Sequence, residues 1–561
     1  MPTYSYTTIN DPFGTNNTTG GSITDAGQIL GSYYSNGSYG FLYSGGSYTT
    51  IADPFGTNGT FASAINDAGQ IAGFYHDGNG FFHGFLYSGG SYTTIDDPFA
   101  TNGTFANSIN ASGQIAGYYQ DANGLEHGFL YRGGSYTTID DPFATNGTVA
   151  QSINASGQIT GYYQENPGYG TGSHGFLYSG GSYTTIDDPF AANETTAQSI
   201  NASGQITGSY LDANGLEHGF LYSGGSYTTI DDPLGTNTVA LSINASGLIT
   251  GYYRDGTFGP EHGFLYSHGS YTTIDAPFAT NTVASDINAS GQITGYYFDS
   301  SGAAHGFLAT PNLPPVAKDD IAGVSKHHDV SGNVLANDSD PNHEVLTVTG
   351  VTGATINGAG QFVEKGTYGT LLVSGDGTFT YEANKKIDFP DHALAQDTFS
   401  YTATNTDHLN SQATLTVTVV KPGETYISGT PAIDAGHLSV VTGGNGKQVI
   451  DGSLGFEQIS GGNGKDVIVG GPGDVLTGGR GRDTFVFSDN FGANTITDFG
   501  KGHDTIELDK SQFHNFAAVI ANAASDGHEG TLISDPSHSG NTVDLLGVNI
   551  ASLHASHFFF V

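Results

Sequence analysis

Residues that could bind a cation are concentrated in a glycine-rich stretch towards the end of the chain. Residues 461–469 and 478–486 both follow Gly-Gly-x-Gly-x-Asp-x-U-x, where U is apolar, and residues 443–451 differ in having Gln448 at the acidic position. The glycines let successive turns bend tightly and aim backbone carbonyls inward, while each Asp adds a carboxylate. Because hard oxygen ligands of this kind suit Ca²⁺, the pattern predicts a short parallel β-roll with calcium as its cofactor.

The candidate ligands follow from the way successive turns alternate between the two sides of such a roll. The turns that begin at residues 443, 461 and 478 stack on one side, which makes Asp466 and Asp483 the principal pair. The turns at 452 and 470 offer Glu457 and Asp474 as a second pair. The same turns offer further oxygens, from side chains or backbone carbonyls, at Gly461, Asn463, Gly479 and Arg480. We expect on the order of one to three ions; a generic glycine-rich linker, the alternative, would not keep this register.

A second regularity organises the first half of the chain. Tyr-Thr-Thr-Ile occurs seven times at intervals of 42 to 47 residues, beginning at Tyr6, Tyr48, Tyr92, Tyr136, Tyr183, Tyr227 and Tyr271. A full unit contains four short strand-like runs, and its Gly-Gly pair between β-rich runs is a strong hairpin signal. Four strands in about 44 residues is the spacing of a β-propeller blade.

The two ends of this array favour a closed ring. The chain opens with an isolated strand at residues 6–9, and the last unit stops at residues 306–309 without a Tyr-Thr-Thr-Ile strand of its own. The first strand can therefore complete the last blade, which also removes exposed sheet edges. We predict a seven-bladed β-propeller over residues 1–310; the alternative, a linear solenoid, would have atypical capping repeats.

Polar residues recur on the loops of one face of the predicted ring. The acidic pairs are Asp96-Asp97, Asp140-Asp141, Asp187-Asp188 and Asp231-Asp232. They could form a cation-binding or ligand-binding rim, or they could be Asx-turns before Pro at a strand end. The third strand of six units opens with a histidine, at His83, His127, His174, His218, His262 and His305. These histidines could serve metal or acid–base chemistry, although evenly spaced copies are typical of side chains that hold loops by hydrogen bonds.

The likeness of the units bears on function. An active site needs a few unlike groups that converge on one spot, whereas these blades present the same groups several times. The repetition favours a multivalent binding or packing surface, in which weak single contacts add up, and it offers no candidate catalytic residue. Tyr-Tyr pairs near the loops could stack on sugar rings.

Composition argues against several partners. The chain has 561 residues and a formal net charge of −39, with only 14 Lys and Arg residues, so we expect no nucleic-acid partner. It has no Cys and therefore no disulfide. The sequence has no run of about 18 apolar residues, so we expect no membrane span. The N-terminus lacks the basic and apolar regions of a Sec signal, so we expect no export by that route.

The rest of the chain is predicted to be all-β as well. Composition shifts at the Pro-rich residues 311–315, and the short strand-like runs that follow predict a β-sandwich of immunoglobulin or cadherin-like type over residues 311–420. Residues 421–440 are expected to be a linker. The β-roll and a C-terminal segment then occupy residues 441–561.

Two resemblances concern the first three-quarters of the chain. The words His-Gly-Phe-Leu, Ile-Asn-x-x-Gly-Gln-Ile and Gly-Tyr-Tyr in residues 1–308 resemble the HAF family of bacterial extracellular repeats, which is usually written His-Ala-Phe. Residues 315–320, 334–341, 376–381 and 397–401 are similar to the cadherin-like and VCBS-type domains of large bacterial adhesins. The second resemblance implies a calcium ion held by Asp319, Asp320, Asp338 and Asp340; solvated turn carboxylates are the alternative.

The glycine-rich repeats and the tail, residues 440–561, resemble the RTX (repeats-in-toxin) family of proteins that are exported by type I secretion. This resemblance implies an uncleaved C-terminal export signal, the type I secretion machinery as a partner, and a secreted protein of a Gram-negative bacterium. It also implies that calcium outside the cell folds the roll.

These features predict a secreted, calcium-binding surface or matrix protein that is not an enzyme. We expect an adhesin-like multivalent module whose propeller face binds an extracellular glycan or protein. The first alternative is a self-assembling structural subunit of a surface layer or filament. The second is a secreted polysaccharide hydrolase or lyase, for which the sequence has no nucleophile elbow or zinc motif.

Overall fold

The computed structural model describes residues 3–14, 17–165, 172–192, 194–256, 259–390, 394–429, 438–488 and 490–561. The chain divides into two compact units, Met1–Asn312 and Leu313–Val561. Nearly all regular structure is β-strand, which confirms the all-β prediction; the described helices are α1 (Phe516–Ala521) and two 3₁₀ turns, Ile550–Ser552 and Ala555–His557. None of these helices is long and apolar enough to cross a membrane.

The first unit consists of 28 strands within its described residues. They are β1 Tyr4–Ile9, β2 Thr18–Ile23, β3 Ile29–Tyr34, β4 Ser38–Ser44, β5 Ser47–Ile51, β6 Gly59–Ile65, β7 Ile71–His76, β8 Phe82–Ser88, β9 Ser91–Ile95, β10 Gly103–Ile109, β11 Ile115–Gln120, β12 Glu126–Arg132, β13 Ser135–Ile139, β14 Thr148–Ile153, β15 Ile159–Gln164, β16 Ser173–Ser179, β17 Ser182–Ile186, β18 Glu194–Ile200, β19 Ile206–Leu211, β20 Glu217–Ser223, β21 Ser226–Ile230, β22 Asn237–Ile243, β23 Ile249–Arg254, β24 Glu261–Ser267, β25 Ser270–Thr273, β26 Asn281–Ile287, β27 Ile293–Phe298 and β28 Ala304–Pro311.

These strands form successive four-stranded antiparallel groups. In six of them, β2–β5, β6–β9, β10–β13, β14–β17, β18–β21 and β22–β25, the strands pair in chain order. The seventh group joins β26, β27 and β28 to β1, with Tyr4 opposite Pro311 and Ile9 opposite Gly306. The first strand of the chain therefore completes the sheet that the last repeat leaves one strand short.

The local sequence explains the repeated sheet. The hairpin between the third and fourth strands turns at Gly-Gly pairs such as Gly89 and Gly90, whose φ angles of +56° and +86° favour glycine. Phe85 and Ile95, on the strands that flank this turn, are fully buried. The Gly-Gly turn and the buried apolar residues therefore favour the same pairing register between the third and fourth strands of each repeat.

Asparagines tie six of the seven groups to the next one. The Asn66 side chain donates a hydrogen bond to the backbone oxygen of Asn110 at 2.9 Å, and Asn110, Asn154, Asn201 and Asn244 repeat this bond around the unit. Asn288 in the last group donates to the backbone oxygen of Thr24 in the first, at 3.0 Å. The Asp25 amide of the first group donates to Asp67 of the second at 2.8 Å, so the first unit is closed around an axial cavity of about 310 Å³ that residues of all seven groups line.

The second unit begins with two packed sheets. Their strands are β29 Asp320–Ser325, β30 Asp329–Asn333, β31 Thr347–Val351, β32 Thr355–Ile356, β33 Phe362–Lys365, β34 Gly369–Val373, β35 Thr378–Ala383, β36 Gln396–Thr404 and β37 Asn410–Val420. One sheet has the order β29-β37-β36-β31 and the other β30-β35-β34-β33-β32. Tyr381, Tyr401, Leu415 and Val417 pack in a shared core between them.

The rest of the second unit coils in parallel turns. Its strands are β38 Glu424–Ser428, β39 Ser439–Thr442, β40 Lys447–Gly452, β41 Glu457–Ser460, β42 Asn463–Gly464, β43 Val467–Gly470, β44 Val475–Thr477, β45 Arg480–Gly481, β46 Thr484–Phe487, β47 Ala493–Ile496, β48 Thr505–Leu508, β49 Ala523–Ser525, β50 Thr531–Ser534, β51 Thr542–Leu545 and β52 Phe558–Phe560. Parallel pairing gives one sheet of order β38-β40-β43-β46-β48-β52 and another that begins β39-β41-β44-β47-β51. The apolar eighth residues of the nine-residue pattern, Ile450, Ile468 and Phe485, are fully buried between them.

The expected linker at residues 421–440 begins instead with a strand. β38 pairs in parallel with β40 and so forms part of the first coil. Ile427 packs against the apolar core of the coil, and the Tyr426 hydroxyl donates to Asp451 at 3.0 Å. These contacts fix a segment that its composition alone did not mark as structured; residues 430–437 lie outside the described ranges.

Candidate functional site

One column of buried side chains runs along the coil at the acidic position of the glycine-rich repeat. The backbone amide of Gln448 donates to Asp466 Oδ1 at 2.9 Å, that of Asp466 donates to Asp483 Oδ1 at 2.9 Å, and that of Asp483 donates to Asp504 Oδ1 at 3.1 Å. The three carboxylates are each at most 3% exposed. The predicted pair Asp466 and Asp483 therefore lies in successive turns of one stack, with Asp504 next in line.

The second oxygens of this column are left without a protein partner. Asp466 Oδ2 and Asp483 Oδ2 are buried and accept no hydrogen bond from the residues that the structure describes. Burial, with the neighbouring charges of Asp504 and Asp466, raises the pKa of Asp483 to about 6, and burial raises the pKa of Asp466. Buried carboxylates without a compensating charge are costly, so the column fits a bound cation.

The glycines of the repeat make room beside these oxygens. A Cβ atom at Gly461 would lie 2.9 Å from Asp466 Oδ2, and one at Gly478 would lie 2.7 Å from Asp483 Oδ2. Gly479 has a φ angle of +93° and stacks closely on Gly462 of the preceding turn. Hard oxygen ligands in a space that only glycine leaves open are suited to Ca²⁺.

The other residues that were predicted to give oxygen ligands to calcium belong to the same turns of the coil. Asn463 and Arg480 face each other in the short parallel pair of β42 and β45. The Asn463 carbonyl accepts a hydrogen bond from the Gly446 amide at 2.8 Å, so it also joins two turns. The structure thus places Gly461 beside Asp466, Gly479 on Gly462 of the preceding turn, and Asn463 opposite Arg480, while their role as calcium ligands stays a prediction.

Glu457 and Asp474 form a second column on the opposite side. The Glu457 amide donates to Asp474 Oδ1 at 2.8 Å, and the Gly471 amide donates to Asp474 Oδ2 at 2.8 Å. Both side chains are at most 1% exposed. Burial and then the adjacent Asp474 carboxylate raise the pKa of Glu457 to about 8, while burial raises that of Asp474 to about 6. This pair also has a deficit of positive charge.

Two acidic residues of the coil were not among the predicted ligands. Asp504 extends the first column, and Asp498 accepts hydrogen bonds from the amides of Gly478 and Gly479, both at 2.9 Å. A signal for Asp504 was present, because Gly502-His503-Asp504 keeps the Gly-x-Asp spacing of the repeat. Asp498 lacks that spacing, and only the folded coil places it at a glycine turn.

The four predicted calcium ligands of the sandwich do not all lie together. Asp320 and Asp338 meet at the buried Tyr401 hydroxyl, 3.1 Å from an oxygen of each. Asp319 instead accepts from the amide and hydroxyl of Thr414, and Asp340 accepts from the Asn342 amide and the Asn405 side chain. Within the described ranges, no three acidic or histidine side chains converge closely enough to hold a metal by themselves. A cation at Asp320 and Asp338 would therefore need backbone oxygens as well.

Five of the six repeated histidines of the first unit are held by two acids each, whereas His305 contacts Asp299 and the amide oxygen of Asn10. His127 Nδ1 lies 2.7 Å from Asp140 Oδ2, and its Nε2 lies 3.9 Å from Asp121 of the preceding loop. Four further histidines make the same short contact to the first acid of the next loop, at 2.6 to 2.7 Å. Each of the six histidines also stacks on a strand tyrosine, as His127 does on Tyr119. These contacts are what a loop-holding role requires.

The second acid of each pair forms an Asx-turn. Asp141 Oδ1 accepts from the Phe143 amide at 2.9 Å, and the equivalent bond recurs at Asp11, Asp53, Asp97, Asp188 and Asp232. The turn leaves the side chain after Pro in solvent. Sequence reasoning missed the consequence, a ring of exposed apolar residues on one face: Phe13, Phe55, Phe99, Phe143, Phe190, Leu234 and Phe278, between 64% and 96% exposed.

Comparison with known families accounts for the second unit. Residues 312–421 match the bacterial cadherin-like domain, and residues 430–558 match the C-terminal domain of the serralysin peptidases of family M10. The chain thus carries a bacterial cadherin-like domain followed by a serralysin-type C-terminal region. No curated protein matches the chain.

Solved structures that are similar to this chain include β-propellers. The Aleuria aurantia lectin in complex with Fucalpha1-6GlcNAc is 15% identical, with 45% of this chain and 94% of that chain covered and a TM-score of 0.30. The β-propeller domain of the Trilobed protease from Pyrococcus furiosus is 10% identical, with 53% and 97% covered and a TM-score of 0.40. AofleA from Arthrobotrys oligospora is 14% identical, with 49% and 90% covered and a TM-score of 0.31.

Proposed function

We propose that this protein is a secreted, calcium-binding surface or matrix protein of adhesin type. Its parts would be a seven-bladed propeller of HAF type at residues 1–310, a cadherin-like sandwich at 311–420 and an RTX-type β-roll within 441–561. The cadherin-like and serralysin-type matches support a secreted binding protein and type I export rather than catalysis.

Calcium is the cofactor that the roll would bind. The carrying observation is the column of Asp466 and Asp483, whose second oxygens are buried without partners among the described residues. An ion there would neutralise carboxylates that folding has removed from water, and its binding energy would add to the stability of the fold. Asp474 with Glu457 would form a second site, and Asp320 with Asp338 a site in the sandwich.

The propeller would supply the binding face. The repetition of one constellation around one side, a histidine held by two acids beside an exposed apolar residue, supports this role. Identical weak sites at fixed spacing give a multivalent surface its avidity. An extracellular glycan or protein is the proposed ligand.

The test uses the full-length protein with calcium present or chelated. We expect labelled protein to bind a glycan array or an extracellular-matrix panel in calcium, and to lose binding when the roll unfolds in chelator. Deletion of residues 430–558 should abolish export from a type I secretion host. Absence of any glycan, surface or protein partner in calcium would refute the binding role, and unchanged export of the deletion variant would refute the secretion role.

A structural subunit is the second candidate. The observation that favours it is the ring of exposed apolar residues, which a second copy could cover. Sedimentation velocity at increasing protein concentration in calcium distinguishes the two, because a structural subunit assembles and a multivalent binding module stays monomeric.

A further inference from the structure

The ring of apolar residues has a fixed place and a fixed geometry. Each member lies in the loop that leads from the fourth strand of one sheet to the first strand of the next. In six of the seven loops an Asx-turn holds the backbone at this residue, as Asp141 does at Phe143. The side chains nevertheless stay at least 64% exposed. Apolar side chains that repeat at equivalent exposed positions mark a contact surface more strongly than scattered ones do.

Unpartnered carboxylate oxygens lie beside these apolar side chains. Asp141 is 3% exposed, and its Oδ2 has no hydrogen-bond partner among the described residues. Asp140 uses Oδ2 for His127, and its Oδ1 is likewise without a partner there. The next loop repeats both features at Asp187 and Asp188. The loops therefore carry buried negative charge that no hydrogen bond within the described residues offsets at these oxygens.

One junction between neighbouring sheets contains a measurable cavity. It has a volume of about 320 Å³ and is lined by Glu165, His174 and Glu194 together with Asp187 and Asp188, which belong to the loop that carries Phe190. This volume is at the lower end of small-ligand pockets, roughly 300–1,000 Å³, which suits one ring-sized group. Its charged lining is acidic except for the histidine.

The net charge of the first unit restricts the kind of ligand that this face can bind. The only Lys or Arg residues in residues 1–312 are Arg132 and Arg254. Arg254 is paired with Glu261 at 2.6 Å, and Arg132 is at the end of β12, next to the tight turn on the opposite side from the apolar ring. Among the described residues the acidic loops thus have histidine partners and no Lys or Arg partner, and a polyanion would be repelled.

We infer that this face binds a polymer of amine-bearing sugars, with one sugar at each occupied sheet junction. The apolar face of the sugar ring packs on the exposed Phe, and the ammonium group pairs with the partly exposed first acid of the loop, such as Asp140 or Asp187. A polymer of identical units matches a ring of identical sites, which a basic protein surface of irregular sequence does not. The inference rests on the proposed glycan-binding function and names the class of glycan.

The experiment measures binding of three probes to the full-length protein in calcium by calorimetry. The probes are a glucosamine oligomer, the same oligomer fully N-acetylated, and a poly-lysine of equal charge. We expect the glucosamine oligomer to bind at least about tenfold more tightly than the N-acetylated one, and its affinity to fall as salt rises. Poly-lysine should bind more weakly than the glucosamine oligomer.

Variants locate the binding to the ring. F99A/F143A should weaken glucosamine-oligomer binding on the order of tenfold, and D140N/D187N should remove the preference for the free amine. V345A, which shortens a 71% exposed side chain in the second unit, is the matched control and should change nothing.

Four outcomes would overturn the inference. Equal binding of the acetylated oligomer would exclude the ammonium contact and leave glycan binding intact. Tighter binding of poly-lysine, lost in the same variants, would make the face a site for basic proteins. Binding to other arrayed glycans but to none of these probes would reject the amine-bearing class alone. Absence of every ligand, on the array and in solution, would reject the proposed function as well.

Discussion

The carboxylate of Asp286 accepts a hydrogen bond from the backbone amide of Ile23, 2.9 Å away and 263 positions earlier in the chain. Its other oxygen accepts from the Ser242 hydroxyl at 2.6 Å. Asp286 is in the last inner strand and Ile23 is in the first, so this contact joins the two ends of the ring beside the pairing of β1 with β28. Ser108 makes the corresponding contact with Ile153 at an ordinary junction, at 3.3 Å.

The substitution D286N tests the closing contact through its pH dependence. Desolvation raises the pKa of Asp286 above its ordinary value. The folded protein therefore holds this proton to a higher pH than the unfolded chain, and stability falls as pH rises through the raised pKa. Relative to D286N, the wild type should lose protection of β2 and β26 as the pH rises above the ordinary range of a carboxyl group. Hydrogen exchange by mass spectrometry, corrected for the intrinsic exchange rate, gives this difference.

A parallel pH profile for the two proteins would mean that Asp286 carries no proton in the folded state. The comparison with D286N is essential because several other buried carboxylates of the ring also have raised pKa values, Asp141 and Asp188 among them. Those groups contribute equally to both proteins and cancel.

The substitution I9A tests whether the first strand holds the ring shut. Ile9 is fully buried and packs with Ile23, Ile29 and Phe41. Its truncation should cost about 2–5 kcal/mol and lower amide protection in β1 and β28 together. T7A, at an exposed position of the same strand, should leave protection unchanged. Full protection of β28 in I9A would show that the first strand is dispensable for the last sheet.

The sequence was informative where one local pattern repeats and where the same residues decide both the turn and the core. Gly89 and Gly90 define a hairpin in any context, and Ile468 and Phe485 fall at the eighth position of a register that only a coil satisfies. The pairing of the first strand with the last repeat and the succession of Asp466 and Asp483 along the coil could therefore be predicted.

The features that escaped prediction depend on residues far apart in sequence. The sequence of Asp286 and its neighbours does not show that Ile23 will lie beside it. The exposure of Phe143 depends on how neighbouring loops pack, since a Phe after Pro could equally be buried. The strand at Glu424–Ser428 becomes ordered through its pairing with β40, and Asp498 reaches the Gly478 turn only when the coil has formed.

Calcium binding by the first column can be tested with D483N and D504N. Each variant removes a charge from the stack that begins at Asp466, and ligand charge sets calcium affinity. We expect calcium affinity to fall on the order of tenfold, about 1.4 kcal/mol, as measured by calorimetry on the full chain. In wild type, calcium at a hundredfold above its dissociation constant should add about 2.7 kcal/mol to the stability of the roll.

E529Q is the matched control, because Glu529 is an exposed carboxylate of the same region. It should bind calcium as the wild type does. If D483N leaves affinity and calcium-dependent protection of β43 and β46 unchanged, the first column is not a calcium site. If D504N alone has no effect, the site ends at Asp483 and the column beyond it serves only to stack the turns.

The Tyr401 hydroxyl is the remaining test, because it is within 3.1 Å of four oxygen atoms: a carboxylate oxygen of Asp320, one of Asp338, and the backbone oxygens of Lys318 and Val334. It can donate to one of these at a time, and Y401F removes that donor from a buried site. We expect a loss of about 1–3 kcal/mol, measured in chelator as reduced hydrogen-exchange protection of β36 and β37. Burial, with the charge of Asp338, raises the pKa of Asp320 to about 7.

The sign of the pH effect follows from that shift. The folded sandwich holds a proton on Asp320 that the unfolded chain releases, so wild-type stability in chelator should fall as pH rises from about 4 to above 7. The Tyr401 hydrogen bond lowers this pKa, so Y401F should raise it further, and its loss of stability should be larger at about pH 8 than at about pH 5. T398V, which removes an exposed hydroxyl of the same strand, should stay within about 0.5 kcal/mol of wild type at both. An equal loss at the two pH values would show that Tyr401 stabilises the sandwich by packing and not through the charge of Asp320.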